Sequence, residues 1–171
     1  MTLVIALLAA SLTGSCGPAE EEERPRKILE GRADSELAPH GEGNVYAPDV
    51  LVEGGVYRMW YGGQGRDGHD RINLAESRDG KTWDRKGVIL DNGEANHVND
   101  PSVVKVDGTY YLYYTRAGAG VVDEIALATS RDGIAWERRG IVLKPGREGE
   151  WDGLLVGRPS VLHEGGLFKM W

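Results

Sequence analysis

Several residues in this chain can do chemistry, and they recur at the same kind of place. Asp100 stands directly before Pro101 at the head of an apolar run, with His97 and Asn99 just upstream. Arg158 stands directly before Pro159 in a like setting, and Asp49 directly follows Pro48. A second group, Asp67, His69, Asp70 and Arg71, is packed into one short stretch. A carboxylate at such a place can give or take a proton, or act as a nucleophile. It can equally close an Asx turn or begin a strand. Arg158 offers paired N–H donors to a hydroxyl, a carboxylate or a phosphate, and cannot serve as a general acid. His69 can shuttle a proton. A solvated loop is the plain alternative for His69, His97 and Asn99. The single Cys and four scattered His give no spacing that suits zinc.

The elements that must position these residues come from an internal repeat. Pro48 onward reads PDVLVEGGVYRMWYGG and then RINLAESRDGKTWDRKGVIL; Pro101 onward reads PSVVKVDGTYYLYYT and then EIALATSRDGIAWERRGIVL. Pro48 to Pro101 and Trp83 to Trp136 are both spaced by 53 residues. A third copy, PSVLHEGGLFKMW, starts at Pro159 and reaches Trp171, the match of Trp60. A repeat of this kind cannot bury its apolar face alone. The chain is therefore expected to be a piece of a longer protein and inactive by itself.

Each repeat divides into four short strands: Asp49–Val52, Val56–Tyr61, Ile72–Glu76 and Val88–Leu90, then Val103–Val106, Tyr110–Thr115, Ile125–Thr129 and Ile141–Leu143. β-Branched and aromatic residues fill these runs, and Gly-Gly or Asp-Gly pairs separate them. Asp79-Gly80 and Asp132-Gly133 read as turn formers, each followed by a Trp that packs on the sheet. Trp60, Tyr61, Tyr113 and Tyr114 read mainly as packing between strands. The fold class is all-β. Four antiparallel strands per repeat match a β-propeller blade, with about two and a half blades present.

The run Asn99-Asp100-Pro101-Ser102-Val103, followed by Gly108-Thr109-Tyr110-Tyr111-Leu112-Tyr113-Tyr114, resembles a blade of the five-bladed propeller glycosidases. So does Ala128 to Trp136. That superfamily takes in glycoside hydrolase families 43, 32, 68 and 130. The resemblance covers about Tyr46 to Trp171. It implies a carbohydrate substrate, and carboxylates at the inner ends of the first strands around a central funnel. Glycosidic cleavage needs a protonated acid and a second carboxylate, ~5–5.5 Å apart for retention and ~6.5–9.5 Å for inversion.

Carried over residue by residue, the resemblance makes Asp100 catalytic or pKa-tuning. Asp49 becomes a second catalytic candidate through a slipped register, because Ala47 holds the place that matches Asp100. Arg158, His69, Asp70, His97 and Asn99 become candidates for binding substrate. The acid Glu that family 43 carries two residues before a Pro is Gly157 here. Asp152 is a reserve candidate. No cofactor is expected; the superfamily allows a channel calcium, which these residues do not declare. Two readings compete with a glycosidase: a non-catalytic carbohydrate-binding propeller, favoured by Ala47 and Gly157, and a sialidase-like enzyme, favoured by the shortened Asp-box of the turns.

Three regions are expected along the chain: 1–16, 17–44 and 45–171, the last made of blades 45–94 and 95–150 and the start of a third at 151–171. Met1–Ala10 is an apolar run too short to span a bilayer, followed by Leu12-Thr13-Gly14-Ser15-Cys16. This resembles a bacterial lipobox and implies lipid on Cys16, export, and membrane contact through that anchor only. Residues 17–44, with four consecutive Glu from Glu20, read as a flexible acidic tether. A net charge of −7 argues against a nucleic-acid partner.

Overall fold

The structure is a computed structural model that describes residues 27–36, 38–118 and 120–171. The expected signal segment, Cys16 and the first part of the expected tether lie outside the described residues. Among the described residues, every regular element is a strand. β1 (Asn44–Glu53), β2 (Val56–Gln64), β3 (Asp70–Ser77) and β4 (Asp84–Leu90) pair antiparallel in chain order. β5 (His97–Val106), β6 (Thr109–Gly118), β7 (Val121–Ser130) and β8 (Glu137–Leu143) repeat that order. β9 (Val161–Glu164) and β10 (Leu167–Met170) make one further hairpin. These are two four-stranded propeller blades and the opening hairpin of a third. Each strand expected from the sequence lies within an observed one.

The turns explain the sharp hairpins. Asp107 and Gly108 have φ of 48° and 75°, and Gly54 and Gly55 have 56° and 76°. Two successive positive φ values define the turn that matches the right-handed twist of paired strands. At the Asp79 turn, the side chain accepts the N–H groups of Lys81 and Thr82, each at 2.7 Å. Ser77 Oγ accepts the N–H of Gly80 at 2.9 Å, and Trp83 Nε1 donates back to the Gly80 carbonyl at 3.3 Å. Asp132, Ser130 and Trp136 repeat this pattern one blade later. These turns are structural.

The blades join in two ways. β3 and β5 meet at a single parallel bridge, Asp70 to His97. Below it, Trp60, Ile72, Leu74 and Leu90 of the first blade share a core with Val103, Tyr110, Leu112 and Ala128 of the second. Trp60 is fully buried and its Nε1 donates to the Gly133 carbonyl at 3.0 Å. Burying an indole of this size contributes about 4–6 kcal/mol by area alone. Trp60, Tyr61, Tyr113 and Tyr114 are all buried, so they pack blades.

The described part of the tether expected over 17–44 makes contacts with the first blade. Arg32 and Glu42 form a bridge, as do Ser35 and Ala38. Leu29 packs on Met59, Tyr61 and Ala75. Glu42 is 1% exposed and accepts Tyr61 Oη at 2.6 Å and Arg32 Nε at 2.8 Å, with Arg85 Nη1 in contact. A paired, buried carboxylate docks this segment on the first blade.

Candidate active site

Three non-glycine residues with positive φ mark the heads of the three repeated runs, within β1 and β5 and just before β9: Ala47 at 46°, Asp100 at 50° and Arg158 at 54°. Each directly precedes a proline. The left-handed conformation costs about 1–2 kcal/mol for such a residue. A register shift accompanies the bend between Tyr46 and Asp49, and again between Asn99 and Ser102. Bulges of this kind re-aim side chains beside functional sites. Three blades hold the same strained bend, and in two of them a charged residue occupies it.

Asp100 is the centre of the cluster. Its side chain is 14% exposed. Thr115 Oγ1 donates to Asp100 Oδ2 at 3.2 Å and accepts the backbone N–H of Arg158 at 2.8 Å. Arg158 Nε lies 4.0 Å from Asp100 Oδ2, and the Arg158 side chain is 84% exposed. Burial raises the Asp100 carboxyl above its usual range; Thr115 and Arg158 pull it down, while Asp70 and Asp123 push it up. A Cβ at Gly157 would sit 3.1 Å from Thr115 Oγ1 and Cγ2, so a Glu there would need Thr115 to give by a few tenths of an ångström.

Asp70 opens β3 on the same rim, almost fully buried. Asn99 Nδ2 donates to Asp70 Oδ2 at 3.2 Å and to Tyr46 Oη at 3.3 Å. His97 Nδ1 is 2.9 Å from Asp70 Oδ2, within ion-pair reach but off the line of a hydrogen bond. The His69 and His97 rings meet edge-on, their centroids 6.1 Å apart. Burial and the Asp70 charge raise the Tyr46 phenol strongly. Asp70 Oδ1, His69 Nδ1 and Asn99 Oδ1 are buried without a hydrogen bond in this structure. Such groups cluster where polar ligands bind.

Asp49, the other expected catalytic carboxylate, is engaged elsewhere. Val103 N–H donates to Asp49 Oδ2, in the neighbouring inner strand. Burial raises its carboxyl, opposed by the N–H groups of Val103 and Val50. The structure thus gathers Asp100, Asn99, His97, Asp70, His69 and Arg158 and gives Asp49 a stitching task. Sequence reasoning missed Tyr46, Thr115 and Asp123. The 53-residue spacing pairs Tyr46 with Asn99 and Asp70 with Asp123, so the repeat itself carried that signal. Among the described residues, no group of three or more His, Cys, Asp or Glu is set to hold a metal.

The profile of glycoside hydrolase family 130, described as β-1,4-mannooligosaccharide phosphorylase, matches residues 21–152. The chain belongs to that family. An uncharacterized protein of Mycobacterium tuberculosis is 33% identical over 138 residues, 72% of this chain and 44% of its own length. A 1,2-β-oligomannan phosphorylase of Thermoanaerobacter sp. strain X514 is 31% identical over 112 residues, 58% of this chain and 38% of its own length. This family 130 chain thus spans under half the length of the curated relatives it matches. In fold it is similar to Zg3597, a family 117 glycoside hydrolase of Zobellia galactanivorans, with a TM-score of 0.67 at 20% identity over 84% of this chain and 51% of that one. The β-1,2-mannobiose phosphorylase of Listeria innocua gives a TM-score of 0.55 at 20% identity over 70% of this chain and 32% of that one. The propeller fold and carbohydrate-active family expected from the sequence are both shown.

Proposed function

We propose that the protein cleaves β-mannosidic bonds of oligosaccharides by phosphorolysis, with Asp100 as the acid and Arg158 as the hydrogen-bond donor that binds the incoming phosphate. The observation that carries this is the pair at the second and third strand starts: a carboxyl raised by burial beside an exposed guanidinium. Hydrolysis needs a second carboxylate to activate water or attack the sugar. Phosphorolysis brings its own nucleophile, and the protein need only bind an anion, which a guanidinium does bidentately. The bond from the anomeric carbon to the bridging oxygen breaks, a phosphate oxygen bonds to that carbon, and the Asp100 proton goes to the leaving oxygen. Attack from the far face inverts the centre. Asn99, His97 and the open acceptors of Asp70 and Asn99 suit sugar hydroxyls. The family's description and the oligomannan phosphorylase relative support a mannoside substrate.

The test uses the full reading frame that contains this chain. It is incubated with β-1,2- and β-1,4-mannobiose, with and without inorganic phosphate. Sugar 1-phosphate formed only with phosphate is the expected result. Free mannose released equally without phosphate would make the protein a hydrolase. Binding with no turnover would make it a carbohydrate-binding propeller.

We also propose export and lipid anchoring at Cys16, supported by the apolar run before the Leu-Thr-Gly-Ser-Cys stretch. Palmitate labelling in a bacterial host that disappears in Cys16→Ser is expected; equal labelling of both forms would overturn it.

A further inference from the structure

The connection from the second blade to the third is longer than its counterpart. Pro101 to Pro159 spans 58 residues against 53 for Pro48 to Pro101, and Leu90 and Leu143 are equivalent strand ends. The five extra residues therefore lie between Leu143 and Arg158. In repeat folds, insertions map to loops on one face, often the binding face. The register fixes that face here. Leu143 pairs with Ile125, two residues from Asp123, and Asp123 is the repeat partner of Asp70 on the funnel rim. The loop begins at the rim on the outer strand and ends at Arg158 beside Asp100.

This loop is closed on itself. Arg147 N–H donates to Glu150 Oε2 at 2.7 Å, Glu150 N–H to the Arg147 carbonyl at 3.0 Å and Gly153 N–H to the Glu150 carbonyl at 3.1 Å. A Cβ at Gly153 would lie 2.1 Å from the Arg147 carbonyl oxygen, so glycine is needed for the fold of the loop. Val156 N–H donates to the Asp123 carbonyl at 3.1 Å and anchors the far end. At the tip, Trp151 is 97% exposed and Leu154 81% exposed. An indole held out by a self-bonded loop gains nothing from burial in its own fold.

We infer that Trp151 is a stacking platform for a pyranose ring of the oligosaccharide, in a subsite beyond the bond being cleaved. This rests on the carbohydrate reading above. A pyranose presents an apolar C–H face of indole size, and the indole adds an N–H donor for a hydroxyl. The loop runs on into Arg158, seven residues after Trp151, so the platform belongs to the segment that carries the proposed anion site. A sugar chain long enough to leave the funnel would cross it; a disaccharide held at Asp100 would not.

The experiment measures binding by the full-length protein, with isothermal titration of mannobiose and mannotetraose in β-1,2 and β-1,4 forms. Trp151→Ala is expected to weaken the tetrasaccharide about tenfold and leave the disaccharide within about twofold, while Trp151→Phe keeps most of the affinity. Melting temperatures of all three forms are recorded. Equal affinities in all three would overturn the inference. So would equal loss for both sugars, or a lowered melting temperature with unchanged binding, which would mean that a later part of the protein or a second copy covers the indole. A parent protein that binds sugar but forms no sugar 1-phosphate sinks phosphorolysis and leaves the platform standing. A parent that binds neither sugar sinks both.

Discussion

The Asp49 carboxylate and the Ser102 hydroxyl, one repeat apart, do the same job. Asp49 Oδ2 accepts the N–H of Val103, and Ser102 Oγ accepts the N–H of Val161 at 3.0 Å. Each ties one inner strand to the inner strand of the next blade. A hydroxyl makes this bond in one place, so a hydroxyl should suffice for it in the other. Asp49→Ser should keep activity within a few-fold. Asp49→Ala leaves a buried N–H unsatisfied and should cost about 1–3 kcal/mol in urea unfolding. A loss of turnover by Asp49→Ser of a hundredfold or more, with stability intact, would return Asp49 to the list of catalytic groups.

Asp100→Asn should abolish most turnover, by about 10²–10⁴-fold in kcat, because the proton donor is gone. The same change should stabilise the fold at neutral pH. The Asp100 carboxyl is raised in the folded state, so its proton is bound more tightly there than in the unfolded chain. That contribution is complete below the unfolded pKa and is lost as pH rises through the folded one. The neutral amide avoids the loss. Melting curves of both forms across pH 4 to 8 should diverge upward in pH and converge in acid, in line with that linkage; a constant gap would refute it.

Thr115→Val removes the hydrogen bond that lowers the Asp100 carboxyl. The acid form then persists to higher pH. The high-pH limb of kcat/KM should move upward relative to the parent. A limb that stays in place while kcat falls would mean that Thr115 serves only the backbone of Arg158.

Glu42→Ala leaves Arg85 buried without its carboxylate partner and frees Tyr61 Oη. Breaking a buried ion pair from one side costs about 3–5 kcal/mol. Limited proteolysis should then cut within residues 27–43 of the folded protein. Resistance equal to the parent would show that Leu29 and the backbone bridges hold the segment unaided.

The blades were legible because a two-residue period, Gly and Asp turn chemistry and a fixed spacing all agree along Pro48 to Leu143. Asp100 was legible for a related reason: a carboxylate before a proline at a strand head is a local pattern. The partner of Asp49 was not. Two residues past the bend at Ala47, beside the bulge between Tyr46 and Asp49, its side chain reaches the neighbouring strand at Val103, and a shift of one residue changes the face. The burial of Glu42 was not legible because its partners, Tyr61 and Arg85, are distant in sequence and no periodicity links them. Thr115 lies mid-strand, where a threonine ordinarily signals only β-propensity.

The left-handed bends at Ala47, Asp100 and Arg158 have a consequence for how such a protein can change. The backbone, set by the following proline and, in the first two blades, by a bulge, decides where each side chain is delivered. Three different side chains occupy it. One socket holds a methyl group, one an acid and one a cation, on the same wiring. A lineage built this way can rewrite its reaction by point substitution at three addresses, without redesigning a strand.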